Sequence, residues 1–295
     1  MDKLGELLIT SMRKEGSAAI EKVNQAMRTW VETEIIDESI LRKIFIESNE
    51  NPVPVTGGLG CPFTKLSPDV NGVTVTGEFP SIRPRIVRQT VVPAVLIKVI
   101  NSHLADLDEL RAVTDMKQWI RDKVVDEINY KENVLLLTTC HASDGSPTSI
   151  STTGGEFIPE AFPTIKSLLS TVNLRAKTIV LKESYYEDIS AWDNTLASDS
   201  TLDSIKNSGE SAITSFAGLD IIPVQDRIFT AAGSSAAGYV LSDKQYVGFV
   251  LNGTPLSVEI EKQKNMSLIF NAGESLGISV VNTDGIQAFS ITAAS

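Results

Sequence analysis

Histidine and cysteine are the scarcest reactive side chains in this 295-residue sequence, two of each, and their scarcity excludes a good deal of chemistry. With only His103 and His141, no multi-histidine metal centre can be built, and Ser-His-Asp chemistry has two candidate bases in all. Cys61 and Cys140 cannot form a disulfide framework, and neither belongs to a C-x-x-C pair, which fits a reducing compartment. No apolar stretch approaches the roughly 20 residues that span a bilayer. Between Met1 and Gly16 the only apolar run is Leu7-Leu8-Ile9, too short for a signal peptide, so an intracellular, soluble product without membrane contact is expected. Bases are also short. The 26 Lys and Arg against 37 Asp and Glu leave a net charge of −11, which disfavours a tight, sequence-independent grip on nucleic acid.

What is present suffices for a folded protein. Hydrophobic residues at 42% and charged residues at 21% lie in the ordinary globular range, and the length allows one large or two compact units. Residues 1–48 place Leu4, Leu8, Met12, Ile20, Val23, Met27, Trp30, Leu41 and Ile44 mostly at three- and four-residue steps, which predicts amphipathic helix in two or three pieces. From Asn51 the texture changes: Pro52, Pro54, Gly57, Gly58, Gly60 and Pro62 forbid regular helix and mark a boundary. Residues 70–100 read as an extended ribbon, with Val73 and Val75 alternating against threonines and an Asn71-Gly72 turn signal. Two strands alone are marginal in water, so the ribbon is expected to rest on something else.

The strongest periodicity follows. Leu104, Leu107, Leu110, Met116, Ile120, Val124, Ile128 and Leu135 form one stripe, predicting a single long helix over 104–140. A Ser/Thr/Gly loop at 142–156 precedes a mixed α/β region with a helix at 161–172 and strands at 178–181 and 219–224. That region carries an acidic run from Glu183 to Asp226. The last 55 or so residues alternate in the strand period, with turn signals at Asn252-Gly253 and Asp284-Gly285, and read as an antiparallel meander.

Candidate chemistry is sparse. Cys140-His141 is the tempting nucleophile-and-base pair, but neighbours on a helix point about 100° apart, so a buried thiol beside a helix-end histidine is the better reading. Gly57-Gly58-Leu59-Gly60 lacks the Lys-Ser or Lys-Thr of a phosphate loop. The carboxylates are spread too evenly to nominate an acid/base pair. No catalytic residue, metal or cofactor is assigned. Arg83, Arg85 and Arg88 on the ribbon can meet acids on a neighbouring chain, or equally protect a solvated strand edge.

The stretches DKVVDEINYKENVLLLTTC, RAKTIVLKESYYEDISAW, GLDIIPV and ESLGISVVNTDGIQAFSIT, in that order, resemble the spine helix, the entry to the axial domain, the strand closing that domain and the last peripheral strands of tailed-phage major capsid proteins. The resemblance covers essentially the whole chain. It implies an α+β, Hong Kong 97-type fold with an N-terminal arm over 1–61, an extended loop over 62–98, a spine helix within 99–141, an axial domain over 142–232 and a peripheral β meander over 233–295. The loop would lie over an adjacent subunit through Val73, Val75, Glu78, Arg83, Arg85 and Arg88, and the spine would pack through Leu110, Ile120, Val124, Ile128 and Leu135.

The implied partners are further copies in hexamers and pentamers and packaged double-stranded DNA held without sequence recognition. Portal, scaffolding and decoration proteins are further expected partners, and the implied location is the virion capsid, assembled in the host cytoplasm. Some relatives weld subunits by a Lys-Asn bond; Lys65 and Lys98 flank the loop without matching that chemistry, and no crosslink is assigned. Two other readings stand beside the viral shell: an encapsulin-like compartment, told apart by protein cargo in place of DNA, and a cytosolic α/β enzyme, told apart by a small oligomer with a convergent polar pocket. Deleting Pro62–Lys98 is expected to leave a soluble monomer in sedimentation velocity; shells forming normally without the loop would refute its bridging role.

Overall fold

The computed structural model describes Gln25 and residues 39–47, 53–55, 58–65, 87–91, 97–105, 118–119, 124–192, 215–262 and 268–294. In chain order the elements are α1 (Ile40–Ile44), β1 (Ile46–Glu47), β2 (Val53–Val55), β3 (Gly58–Lys65), β4 (Val87–Val91), β5 (Ile97–Ala105) and α2 (Asp126–Ser143). Then come β6 (Thr148–Thr152), α3 (Ala161–Ser170), β7 (Thr178–Lys182), α4 (Glu183–Ser190), β8 (Ser215–Phe216), β9 (Leu219–Val224) and α5 (Asp226–Ala231). Last are β10 (Gly238–Leu241), α6 (Lys244–Val247), β11 (Gly248–Lys262), β12 (Leu268–Val280) and β13 (Ile286–Ala293). They form two compact units, each stitched from separate stretches: Met1–Lys43, Ala94–Asn133 and Val250–Gly277 make the first, and the remainder makes the second.

The second unit is built on a six-stranded sheet in the order β6-β13-β10-β7-β9-β8. β10 pairs antiparallel with both β13 and β7, while β7 with β9 and β13 with β6 run parallel. Parallel neighbours need crossover connections: the one from β7 to β9 contains α4, and β6 reaches β13 only through the rest of the sheet's chain. Ile179, Val180 and Leu181 are buried in a row, as in strands covered on both faces. On α3, Ala161, Phe162, Ile165 and Leu169 are buried at helical spacing. They meet an aromatic cluster in which Phe157 and Phe162 stand edge-on at 5.2 Å, Trp192 and Phe216 edge-on at 5.1 Å, and Trp192 Nε1 donates to the Phe157 carbonyl at 2.9 Å.

In the first unit β12 lies between β11 and β5. β12 and β5 run antiparallel from Leu268 opposite Ala105 to Leu276 opposite Ile97. A separate three-stranded sheet, β2-β3-β4, belongs to the second unit.

Four expectations are corrected. Leu104 belongs to a strand and not to the spine helix, because Ile97, Val99 and Ile100 are β-branched and the whole segment pairs with β12, which outweighs its helical spacing. The boundary between residues 98 and 99 therefore cuts through β5. Residues 233–295 are not one meander: β10 and β13 sit in the axial-type sheet, while β11 and β12 pair elsewhere, since a period-two pattern gives a strand's faces and not its partner. Asn252-Gly253 makes no turn, for β11 continues unbroken from Gly248 to Lys262 and the ladder overrides the local turn preference. Asp284 and Gly285 do lie in a turn, a single 3-10 turn at Thr283–Gly285. The expected arm helices before Ser39, the Asn71-Gly72 turn, and Leu107, Leu110, Met116 and Ile120 lie outside the described residues.

Gly238 marks the tightest point of the six-stranded sheet. A Cβ there would lie 2.6 Å from the Val180 carbonyl oxygen and 2.7 Å from Phe289 Cζ. The Gly238→Ala variant is expected to lose about 1–3 kcal/mol by overpacking, read as a lower denaturant midpoint at unchanged slope.

Candidate functional site

The base of the extended loop is a β-ladder. β3 and β4 run antiparallel, with Cys61 opposite Val91, Thr64 opposite Arg88 and Lys65 opposite Val87, and β2 extends the ladder by pairing Val53 with Gly60. Residues 65 and 87 are thereby held side by side. Of the six proposed loop contacts, Arg88 falls on β4, and Val73, Val75, Glu78, Arg83 and Arg85 lie outside the described residues. Lys98, on β5, stands opposite Ser275.

In the first unit α1 is fastened by a buried polar cluster. Ser39 opens α1: its Oγ accepts from Arg42 N at 3.4 Å, a long capping contact, and donates to Glu132 Oε2. Arg42 Nη2 then bridges two carboxylates, Glu132 Oε1 at 3.2 Å and Glu274 Oε2 at 2.8 Å. Three segments distant in sequence, the arm, the helix α2 and the strand β12, meet at one guanidinium. Both carboxylates are nearly inaccessible, at 0% for Glu132 and 6% for Glu274.

Two acids beside one base cannot both remain ionised cheaply in such a place. Burial chiefly, and then hydrogen bonding to and the charge of Glu132, push the Glu274 carboxyl up to about 9, while Arg42 pulls it the other way. The raised Glu274 carboxyl favours its neutral form, so the cluster carries less negative charge than its two carboxyl groups would bear in water.

Only part of this was visible beforehand. On α2 and the turn before it, Val124, Ile128, Leu136 and Cys140 are buried at four-residue steps, and Glu132 occupies the place where that stripe calls for an apolar side chain. That misplacement was a readable signal; nothing in the sequence pointed to Arg42 or Glu274 as its partners. Of the five spine residues nominated, Val124 and Ile128 are buried, Leu135 is half-buried beside the fully buried Leu136 and Leu137, and Leu110 and Ile120 lie outside the described residues. Cys140 is fully buried and its thiol is pushed up to about 12 by that burial, the state of an inert side chain. Among the described residues no group of three or more His, Cys, Asp and Glu is placed to hold a metal ion, and no helix is long and apolar enough to cross a membrane.

No protein-family model and no curated protein matches the chain. Solved structures do. A structure from Microbacterium phage Oxtober96 aligns with a TM-score of 0.55 at 10% identity, covering 85% of this chain and 90% of that one. The mature capsid of bacteriophage PhiM1 aligns at 0.51 and 11% identity over 88% of each chain. The virus-like particle from Pyrococcus furiosus aligns at 0.52 and 14% identity, covering 90% of this chain and 98% of that one. The chain has the Hong Kong 97-type capsid fold, mixed α+β with a mixed sheet. Its structural neighbours are predominantly major capsid proteins of phages, as the resemblance in sequence order implied.

The Glu274 proton has a sign that can be checked. Its folded pKa lies above the ordinary carboxylate value, so the stabilisation is fully present below about 4.5 and is lost as pH rises toward about 9. Unfolding free energy is expected to fall with pH across that window by at most about 1.4 kcal/mol per pH unit for this one proton. Glu274→Gln, neutral at every pH, should flatten the slope in denaturant titrations; an unchanged slope would show that Glu274 is already ionised in the folded protein.

Proposed function

We propose that this chain is the subunit of a closed icosahedral shell, assembled through hexamers and pentamers around double-stranded DNA, and that it works by association alone, without a catalytic step or cofactor. The observation that supports this reading is the fold likeness, which extends over 85–90% of this chain and 88–98% of the three neighbours. Because one fold hosts many functions, the likeness is joined to two features of the chain itself. The predicted loop starts from a short three-stranded sheet, β2-β3-β4, too small to bury a core of its own, so a neighbouring copy is its natural support. The chain's net charge of −11 also suits a lumen that holds DNA without gripping its phosphates.

In such a shell one patch of each subunit meets a different patch of the next, and the rotation closes rings. Each contact is modest, while many simultaneous contacts hold a subunit by effective concentration. The virion capsid is then the location, with assembly in the host cytoplasm and with portal, scaffolding and decoration proteins as further partners.

A second reading has its own support. A shell around protein cargo is the nearest alternative, since the fold likeness, which takes in the Pyrococcus virus-like particle over 98% of its chain, is compatible with either content. Expression of the full chain, followed by electron microscopy and nuclease treatment, is expected to show large closed particles, with nuclease-protected DNA when they are made in infected cells. Particles holding a co-purifying enzyme and no DNA would favour the compartment, and a small soluble oligomer would sink both.

A further inference from the structure

In the second unit, β7 and β9 run parallel, so the loops at their two ends face opposite ways. The ends differ in charge. At the N-terminal end lies a cavity of about 430 Å³ lined by Lys166, Ser170, Asn173, Arg175, Ala217 and Gly218 among others, with no acidic side chain among the described residues of its wall. Lys166, midway along α3, donates to the carbonyl of Ala217 in the turn joining β8 to β9. Among the described residues, Asp220 at this end pairs with Lys177 at 3.8 Å, Asp243 accepts from the backbone N–H of Gln245 and Asp144 from that of Ala288, while Asp284 stands exposed before β13, beyond β10 from the cavity.

The C-terminal end is the reverse. β6 is also parallel to β7, through β13 and β10, and the segments that leave β6, β7 and β9 there begin with acids: Glu156 and Glu160 before α3, Glu183 opening α4, and Asp226 opening α5. All four are exposed. The cations at this end are occupied, Lys182 over the Phe229 ring at 5.4 Å and Arg227 Nε with Gln225 Oε1 at 2.7 Å.

A five-residue strand is about 17 Å long, twice the roughly 8 Å over which physiological salt screens charge. The two ends of one copy therefore cannot neutralise each other. Resting on the shell reading above, we infer that the Lys166–Arg175 cavity receives the Glu160–Glu183 end of a second copy, so that these sheets associate head to tail. Complementary patches on opposite ends of one body make a heterologous contact, the kind that generates rings. The partner is a second copy because the matching surface is on this same chain, and because a chain of net charge −11 offers few other places where an acidic neighbour is welcome.

The test uses the full chain and reads particle formation by sedimentation and electron microscopy, with circular dichroism as the check on folding. Lys166→Glu with Arg175→Glu, and separately Glu160→Lys with Glu183→Lys, are each expected to raise the concentration at half assembly by about tenfold or more, and all four together to bring it back to within a few-fold of the unaltered chain. The milder Lys166→Gln with Arg175→Gln should shift it less, in the same direction. Folded variants that assemble like the unaltered chain, or single sets that fail with no recovery on combination, would overturn the contact and leave the shell reading standing. An unaltered chain that forms no particles at any concentration would overturn both.

Discussion

The six-stranded sheet depends on its shortest fully enclosed member. β10 is four residues long, Gly238–Leu241, and all four are buried. It hydrogen-bonds to β13 on one side and β7 on the other, so it alone joins the pair β6-β13 to the group β7-β9-β8. Such a strand cannot be held by local contacts, because its partners lie about fifty to sixty residues away on either side. The close approach at Gly238 follows from the same crowding: the Val180 carbonyl and the Phe289 ring occupy the space that a side chain would take. Every element that covers this sheet, from α3 with its row of buried apolar residues to the aromatic cluster around Trp192, presupposes that this central strand is in place.

A different logic holds the end of the arm. Hydrophobic residues of similar volume are often as stable as a buried ion pair, so Arg42, Glu132 and Glu274 are not explained by stability alone. What they add is discrimination. An apolar patch accepts an arm in several registers, whereas a guanidinium aimed at two carboxylates, with Ser39 satisfying a further oxygen, accepts one. The upward shift of the Glu274 carboxyl lowers the cost of that specificity, since a buried carboxyl in its neutral form costs far less than a second buried anion.

The sequence was informative where the signal is local and weak where it depends on closure. The helix over 161–170, the strands at 178–182 and 219–224, the buried Val124 and Ile128 and the turn at Asp284-Gly285 all carry their cause within a few residues. Leu104 and Asn252-Gly253 misled because the deciding interaction is a ladder with a strand that sequence spacing does not name. The polar cluster was half legible: Glu132 interrupts an apolar stripe, a conflict between pattern and residue that often marks a special site, but its partners are separated from it by 90 and 142 residues. The order of elements along the chain proved more telling than any motif, because order survives at identities of 10–14% where side chains do not.

Charge links this fold to assembly. Copies of a chain with a net charge of −11 repel one another at a distance, and that repulsion fades only beyond the screening length. Attraction therefore has to act at contact, and small basic features contribute orientation to it when they are placed where a neighbour's acids arrive in one way only. A cavity bordered by Lys166 and Arg175, at the opposite end of the same strands from Glu160 and Glu183, meets that requirement without any change in the overall charge. Wrong orientations set acid against acid and are rejected, which gives specificity from the same charges that keep free subunits apart.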